Sequence, residues 1–453
     1  MRFIFTIIVS TWVGVLSAQE IFTKKDISKY LTMDNPFVYS EVAQRFIYKH
    51  RENYQLGNFD TALRAKYDKK DYPLSDGEFY SAGMVKPMEN GIEFSADYRY
   101  AEGEQEYNNI KTGDEGEVLV GVKVPVLSVI EDINERKLNL YASRLDTEKV
   151  NYKANDNIRL LYAKVVSHYY TLLHLYQKNI LVSDLVNYAE DRAVIITKRV
   201  KVGSLAQLAL LEVQQQIINR KQRLLRTQTE YENALEKFVQ YLNITKDEFN
   251  RMYILPPLMQ MDAEVFPYEL SLQEALENRP DLKIYDNEIK QLELKDKFNG
   301  VSAYPVLDVG VYGVHDFEEK DDGYKLTFDF NFPLQRRQYT SRSLEIKNEI
   351  LHIRQQKERK VSMLKTDLKL IHNSISMFTK NIENSKLEVE LVEKIQDAEN
   401  KKYLMGLSNL FMVNQREIYT LEVRKKLLQY KVDYLLVLQR LNRVMGRSLE
   451  GFE

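Results

Sequence analysis

The stretch Lys401–Glu417, KKYLMGLSNLFMVNQRE, sets Gly406, Leu407 and Ser408 inside what otherwise reads as one continuous helix of roughly 100 residues. Two readings of that glycine compete. A lone glycine costs a helix only ~1 kcal/mol and would leave a kink. Alternatively, it takes the left-handed conformation that closes one helix, and the chain turns back as a hairpin. The sequence decides by repeating itself. With Gly203 set on Gly406, a shift of 203 residues, Leu208 meets Phe411 and Ile218 meets Leu421 without a gap. Leu224 and Leu225 then meet Leu427 and Leu428, Tyr231 meets Tyr434, and the match runs on to Phe238 and Leu441. A break at corresponding places in two copies reads as the tip of a helical hairpin. Ser204 and Ser408 are the expected caps of the helices that follow, Ser204 with Gln207 at capping-box spacing.

A second pair extends the repeat. Thr32–Val38 (TMDNPFV) and Leu276–Leu282 (LENRPDL) set Pro36 against Pro280, a shift of 244, with proline in the first helical turn where its missing N–H is harmless. The two shifts differ by 41 residues, which matches a surplus of strand-like sequence in the first copy. The chain therefore divides into a leader (1–18), a first repeat (19–243), a linker (244–270) holding Pro256, Pro257 and Pro267, a second repeat (271–446) and a tail (447–453). Each repeat reads short helix, strands, very long helix, glycine break, long helix.

The long elements dominate. Leu127–Val200 contains neither proline nor glycine, and a helix of that length extends on the order of 100 Å, far more than a compact domain needs. Ile418, Leu421, Leu428, Val432 and Leu435 follow coiled-coil spacing, with Lys425 as the exception. An exposed amphipathic bundle would show the same periodicity. The strand-like regions alternate instead. In Gly323–Leu334, Tyr324, Leu326, Phe328, Phe330 and Phe332 alternate with Lys325, Thr327, Asp329 and Asn331. Leu307, Val309 and Val311 share one face of the preceding strand, and DFEEKDDG joins the two. In the first repeat Glu117–Leu127 and Ile92–Tyr100 alternate in the same way, and Phe59–Tyr67 and Tyr80–Met88 are weaker candidates. A soluble sandwich also needs one dry face, but an aromatic face opposite a polar one over this length matches a strand facing lipid.

Composition narrows the partners. The 64 Lys and Arg against 66 Asp and Glu leave a net charge of −2, so no basic field invites nucleic acid. Met1-Arg2, the apolar run Phe3–Leu16 and Leu16-Ser17-Ala18 before Gln19 form a secretory signal pattern. About 14 apolar residues are too few for a spanning anchor, which needs ~20. With 0 cysteines there is neither a disulfide nor a thiol to carry a lipid, so membrane attachment must come from the fold. Catalysis has no foothold. The six histidines (His50, His168, His174, His315, His352, His372) lack the i, i+4 spacing of a helical zinc pair, and there is no phosphate loop, nucleophile elbow or cysteine nucleophile. No cofactor or metal is expected.

The order of these parts, and their double occurrence, resembles the TolC-type outer membrane efflux proteins. The features are the Asn35-Pro36 and Arg279-Pro280 helix starts, the strand pairs, and the Gly203 and Gly406 tips followed five residues on by Leu208 and Phe411. The resemblance implies a mainly α protein with a membrane β-barrel, sited in the outer membrane of a Gram-negative bacterium. Three copies would pool their strands into one barrel and twelve long helices into a periplasmic tunnel. Four strands per copy would make twelve, leaving the extra first-repeat hairpin outside the wall. The function implied is an efflux or type I secretion channel that works with a periplasmic adaptor and an inner-membrane transporter of RND or ABC type. Val202, Gly203, Ser204, Met405, Gly406 and Leu407 would dock the adaptor. Members of that family can carry aspartates six and nine positions after the second tip glycine. Here those positions hold Met412 and Gln415, and in the first repeat Ala209 and Glu212, so only Glu212 could charge the gate. The competing reading is a non-conducting periplasmic coiled-coil protein.

Overall fold

A computed structural model describes residues 19–73, 75–104, 112–258, 265–301, 303–332 and 334–447. The expected leader and all of the tail past Arg447 lie outside the described residues. The described part of the chain folds as two compact units, one within Met1–Ser40, Asn157–Asn278 and Leu364–Glu453, the other within Glu41–Asp156 and Arg279–Met363. Each unit takes part of both repeats, so packing does not follow the repeat boundaries.

The first unit begins with β1 (Glu20–Ile21), α1 (Ile27–Tyr30) and the start of α2 (Pro36–Leu56). Asn35 opens α2, its side-chain oxygen accepting from Phe37 N–H at 2.9 Å just ahead of the helix-initiating Pro36. Further elements of the chain are β2 (Ala62–Tyr72), β3 (Ser75–Pro87), β4 (Glu93–Glu104), β5 (Glu117–Pro125), α3 (Val126–Ile130), α4 (Glu135–Lys201) and α5 (Gln207–Leu242). In the first unit α4 and α5 run antiparallel. Lys178 pairs with Glu230 at 2.6 Å and Lys221 with Glu190 at 2.7 Å, so numbers rise on one helix as they fall on the other.

After α5 come α6 (Lys246–Met252), β6 (Tyr253–Ile254), α7 (Tyr268–Asn278), α8 (Pro280–Val301), β7 (Val306–Asp316), β8 (Asp322–Asn331), α9 (Arg337–Leu404) and α10 (Leu410–Val444). The linker at 244–270 thus carries α6 and β6, the latter pairing in parallel with β1. Helices α9 and α10 are also antiparallel, with Asp367 against Arg440 at 3.5 Å and Glu388 against Lys426 at 3.1 Å. The breaks are hairpin tips, not kinks. The core of this unit is aromatic. Phe22 is fully buried, with ring centroids 5.0 to 5.8 Å from Tyr253, Phe249, Phe238 and Tyr169, and Tyr169 donates its hydroxyl to the Phe22 carbonyl at 2.9 Å. Rings of this kind bury ~150–250 Å² each.

The duplication is visible in the geometry. Helices α5 and α10 begin at 207 and 410, the same 203-residue shift. Left-handed residues follow both helices at the same shift, Asn243 at φ 58° and Gly446 at φ 83°. The expected helix over 127–200 is divided, however. After α3 the backbone turns at Asp132 (φ 50°), and Asn134 restarts the helix by accepting from Lys137 N–H at 2.9 Å. Asparagine at a cap outcompetes continuation because its side chain replaces a missing backbone acceptor.

The second unit contains one antiparallel sheet in the order β2-β3-β4-β5-β7-β8. The first repeat supplies four strands and the second two. The hairpin expected apart from the wall is continuous with the sheet: β2 and β3 pair through 11 registered residues, and β3 and β4 through 12. A backbone laddered over that length has no reason to leave its sheet.

Candidate functional sites

The sheet has two chemically different faces, and its register assigns every strand to them. On β8, Tyr324, Leu326, Phe328 and Phe330 stand opposite Gly313, Val311, Val309 and Leu307 of β7. Val309 and Val311 stand opposite Val124 and Val122 of β5, and Val122 and Val120 in turn face Phe94 and Ala96 on β4. Ala96 leads to Met84 on β3, and Met84 to Leu63 on β2. One face is therefore apolar from edge to edge. Tyr67, Tyr80 and Tyr100 form a row across it, with centroids 4.8 and 6.0 Å apart, and charge resumes next along the strands at Lys69, Glu78 and Glu102.

The opposite face is polar and crowded by long side chains lying over glycines. Arg64 of β2 reaches across β3 to Asp97 of β4 through hydrogen bonds of 2.9 and 2.7 Å. Between them lies Gly83, where a Cβ would sit 2.1 Å from the Asp97 carboxylate. Lys123 pairs with Asp308 at 2.7 Å and Arg99 with Glu117. Phe330, Phe328, Leu326 and Tyr324 are where the alternation placed them, all exposed. Phe332 is not. It lies past the end of β8, half-buried beneath the Arg336 guanidinium, 4.9 Å from its ring centre.

The hairpin tips belong to the other unit. Gly203 and Gly406 adopt φ 76° and 77°. In the first tip Gly203 N–H bonds to Val200 C=O at 3.0 Å and Ser204 N–H to Arg199 C=O at 2.9 Å. In the second, Gly406 N–H bonds to Tyr403 C=O and Leu407 N–H to Lys402 C=O, at 3.0 and 2.9 Å. This is the two-bond closure that glycine permits at a helix end. Val202, Gly203, Ser204, Met405, Gly406 and Leu407 are all exposed. The serines do not cap the next helix as expected. Ser204 donates back to the Arg199 carbonyl and Ser408 to the Glu399 carboxylate. Ala206 opens α5 without a side-chain cap, and Asn409 opens α10 by accepting from Met412 N–H at 3.0 Å. Just inside the tips Ile196, Val213 and Leu410 share one buried cluster, which packs the two hairpins together.

One polar site had not been anticipated. The buried Glu417 carboxylate accepts from both Arg192 and Arg220, the latter at 2.8 Å, and Asn414 accepts from the same two guanidinium groups at 3.1 and 3.2 Å. Arg220 also donates to the Leu185 carbonyl at 2.7 Å, and burial lowers its hold on its proton. The coiled-coil seam that includes Leu421 carries the signal, since stepping back four and seven residues from Leu421 puts Glu417 and Asn414 on the same stripe. Of the gate residues named from the sequence, Met412 is half-buried, and Gln415 and Glu212 are exposed. Among the described residues no cluster of His, Asp or Glu could hold a metal, and no helix is long and apolar enough to cross a membrane.

The fold is shared with outer-membrane proteins of known structure. The chain superposes on the outer-membrane channel OprN with a TM-score of 0.69 at 10% identity, covering 93% of this chain and 89% of that one. The outer membrane protein VceC of Vibrio cholerae gives 0.69 at 11%, over 94% and 97% of the two chains. The CmeC outer membrane channel of Campylobacter jejuni gives 0.66 at 11%, over 95% and 91%. Residues 92–243, which hold β4, β5 and the Gly203 tip, match the family described as outer membrane efflux protein, in line with the resemblance read from the sequence. That family and these neighbours are channels, not enzymes. No curated protein sequence matches the chain.

Proposed function

We propose that three copies of this chain form an efflux channel, their sheets closing one barrel in the outer membrane and their long helices a periplasmic tunnel. The sheet carries this reading. Its apolar face suits lipid, its polar face suits water, and a bilayer tolerates no unpaired edge, so β2 and β8 must find partners on other copies. The helices support the same assembly. Leu211, Ile218 and Leu225 of α5, and Met363, Leu370 and Met377 of α9, repeat every seven residues yet are exposed in the single chain. Such stripes are what neighbouring copies would cover.

The six tip residues would meet the helical hairpins of a periplasmic adaptor, and a separate inner-membrane transporter of RND or ABC type would supply cargo. Met412, Gln415 and Glu212 would line the closed entrance, holding it by apolar and neutral contacts where carboxylate rings would concentrate multivalent cations. Purified protein should migrate as a heat-resistant trimer in detergent and conduct ions across a planar bilayer. Its conductance should resist block by trivalent metal complexes from the periplasmic side, and Gln415→Asp should introduce block. A trimer that never conducts would leave the coiled-coil protein standing; strong block unchanged by Glu212→Gln would refute the gate.

A further inference from the structure

We infer that each copy places all six strands of its sheet in the barrel wall, so that three copies close an eighteen-stranded barrel through a seam between β2 of one and β8 of the next. The inference rests on the trimeric reading above and specifies its interface.

Three observations converge on the β2-β3 hairpin as wall. Its outward residues Leu63, Ala65, Ala82 and Met84 continue the apolar face in register with β4. The tyrosine row runs from Tyr100 through Tyr80 to Tyr67, so the hairpin meets the polar boundary at the level its neighbour does. Such rows mark the membrane interface in barrels. On the other face the Arg64–Asp97 pair ties β2 to β4 over Gly83, giving the hairpin the same polar, glycine-relieved inner surface as Gly121 and Gly310, over which Tyr312 lies. A hairpin standing in water outside the wall would have no need of an apolar face.

The edges fit one another. Six alternating strands leave β2 and β8 antiparallel, so a copy set beside the first continues the antiparallel order. The two strands have 11 and 10 residues, and both are exposed along nearly their whole length. Leu63 at 83% and Tyr324 at 80% exposure exceed outward residues of inner strands such as Val311 at 47%, as expected of side chains still lacking a neighbour on one flank. Barrel diameter grows about linearly with strand number, so this wall is about half again as wide as one of twelve strands, and enclosures of ~16–18 strands hold an aqueous channel.

The absence of cysteine makes the seam testable by disulfide trapping. Thr327→Cys on β8 is combined with Lys66→Cys or Asp68→Cys on β2, and separately with Ser95→Cys on β4, the strand that would form the seam of a twelve-stranded wall. All four positions lie on the polar face. Within one copy β4 is about 14 Å from β8 across two intervening strands, and β2 is farther, so any disulfide joins different copies. Oxidised outer membranes should yield covalent dimers and trimers from a β2 pair and none from the β4 pair. Crosslinking through Ser95→Cys, or none through either β2 position in trimers that persist by heat-resistant migration, would overturn the six-stranded wall. Absence of any trimer would instead refute the trimeric reading beneath it.

Discussion

Phe330 and Asn331 are neighbours in the chain and opposites in the sheet. Phe330 stands against Leu307 on the apolar face and Asn331 against Val306 on the other. A cation facing lipid near the bilayer midplane costs about 2–4 kcal/mol, whereas one facing an aqueous lumen costs little. Phe330→Arg should therefore lower the amount of trimer in isolated outer membranes and Asn331→Arg should not; equal tolerance would mean that the faces are reversed or the strand lies outside lipid. Glu417 poses a different problem, because two guanidinium groups depend on it and Arg220 is itself buried. Removing one partner of a buried ion cluster costs about 3–5 kcal/mol through the charge left behind. Glu417→Ala should lower the unfolding free energy obtained from urea titration by that amount, while Glu422→Ala, which removes an exposed carboxylate paired only with Lys425, should barely change it.

The hairpin tip is where the smallest change should reach function. Both glycines have left-handed backbones with nothing within 4 Å of where a Cβ would be, so a larger side chain meets strain but no clash. Gly203→Leu and Gly406→Leu should each cost about 1–2 kcal/mol locally. Trimer assembly should survive and export should be lost, measured as cargo retention at matched protein levels; unchanged export in both would dismiss tip docking. These tips were legible in the sequence because glycine has one strong use at a helix end and two copies agreed on it. The strand faces were legible because alternation has a period of two. Other features rest on competition that no periodicity records. Asn409 caps α10 although Ser408 is the commoner guess, because Ser408 is drawn to Glu399. Asn134 interrupts a run free of glycine and proline. The fate of the β2-β3 hairpin depended on pairing between strands, which the sequence of either strand leaves open. Asn414 and Glu417 hid in the seam because a search for apolar spacing passes over polar members.

Across the whole molecule the titratable histidines are unevenly placed. His168, His174 and His372 are half-buried in the unit that holds the hairpin tips, while His50 and His352 of the other unit are exposed. Burial is the first cause holding the three below the ordinary histidine value. Lys164 and Lys237 add to it at His168, and Lys178 at His174, whereas Asp433 and Glu230 oppose it at His174 and Glu269 at His372. With folded values depressed, the unfolded chain binds more protons in the window that opens near the ordinary value of about 6.5 and extends down to the folded values. The stability of the neutral histidines is thus present above that window and lost as pH falls through it. Thermal melts of the purified protein followed by helical circular dichroism should show the helix transition shifting to lower temperature between pH 7 and pH 5. The triple variant His168→Gln, His174→Gln and His372→Gln should flatten that dependence, although its midpoint at pH 7 is lower from lost packing. A slope as steep in the variant as in the parent would refute the histidine account, because carboxylates held below their ordinary value, Glu230 beside Lys178 among them, lose their stabilisation only below about pH 4.5.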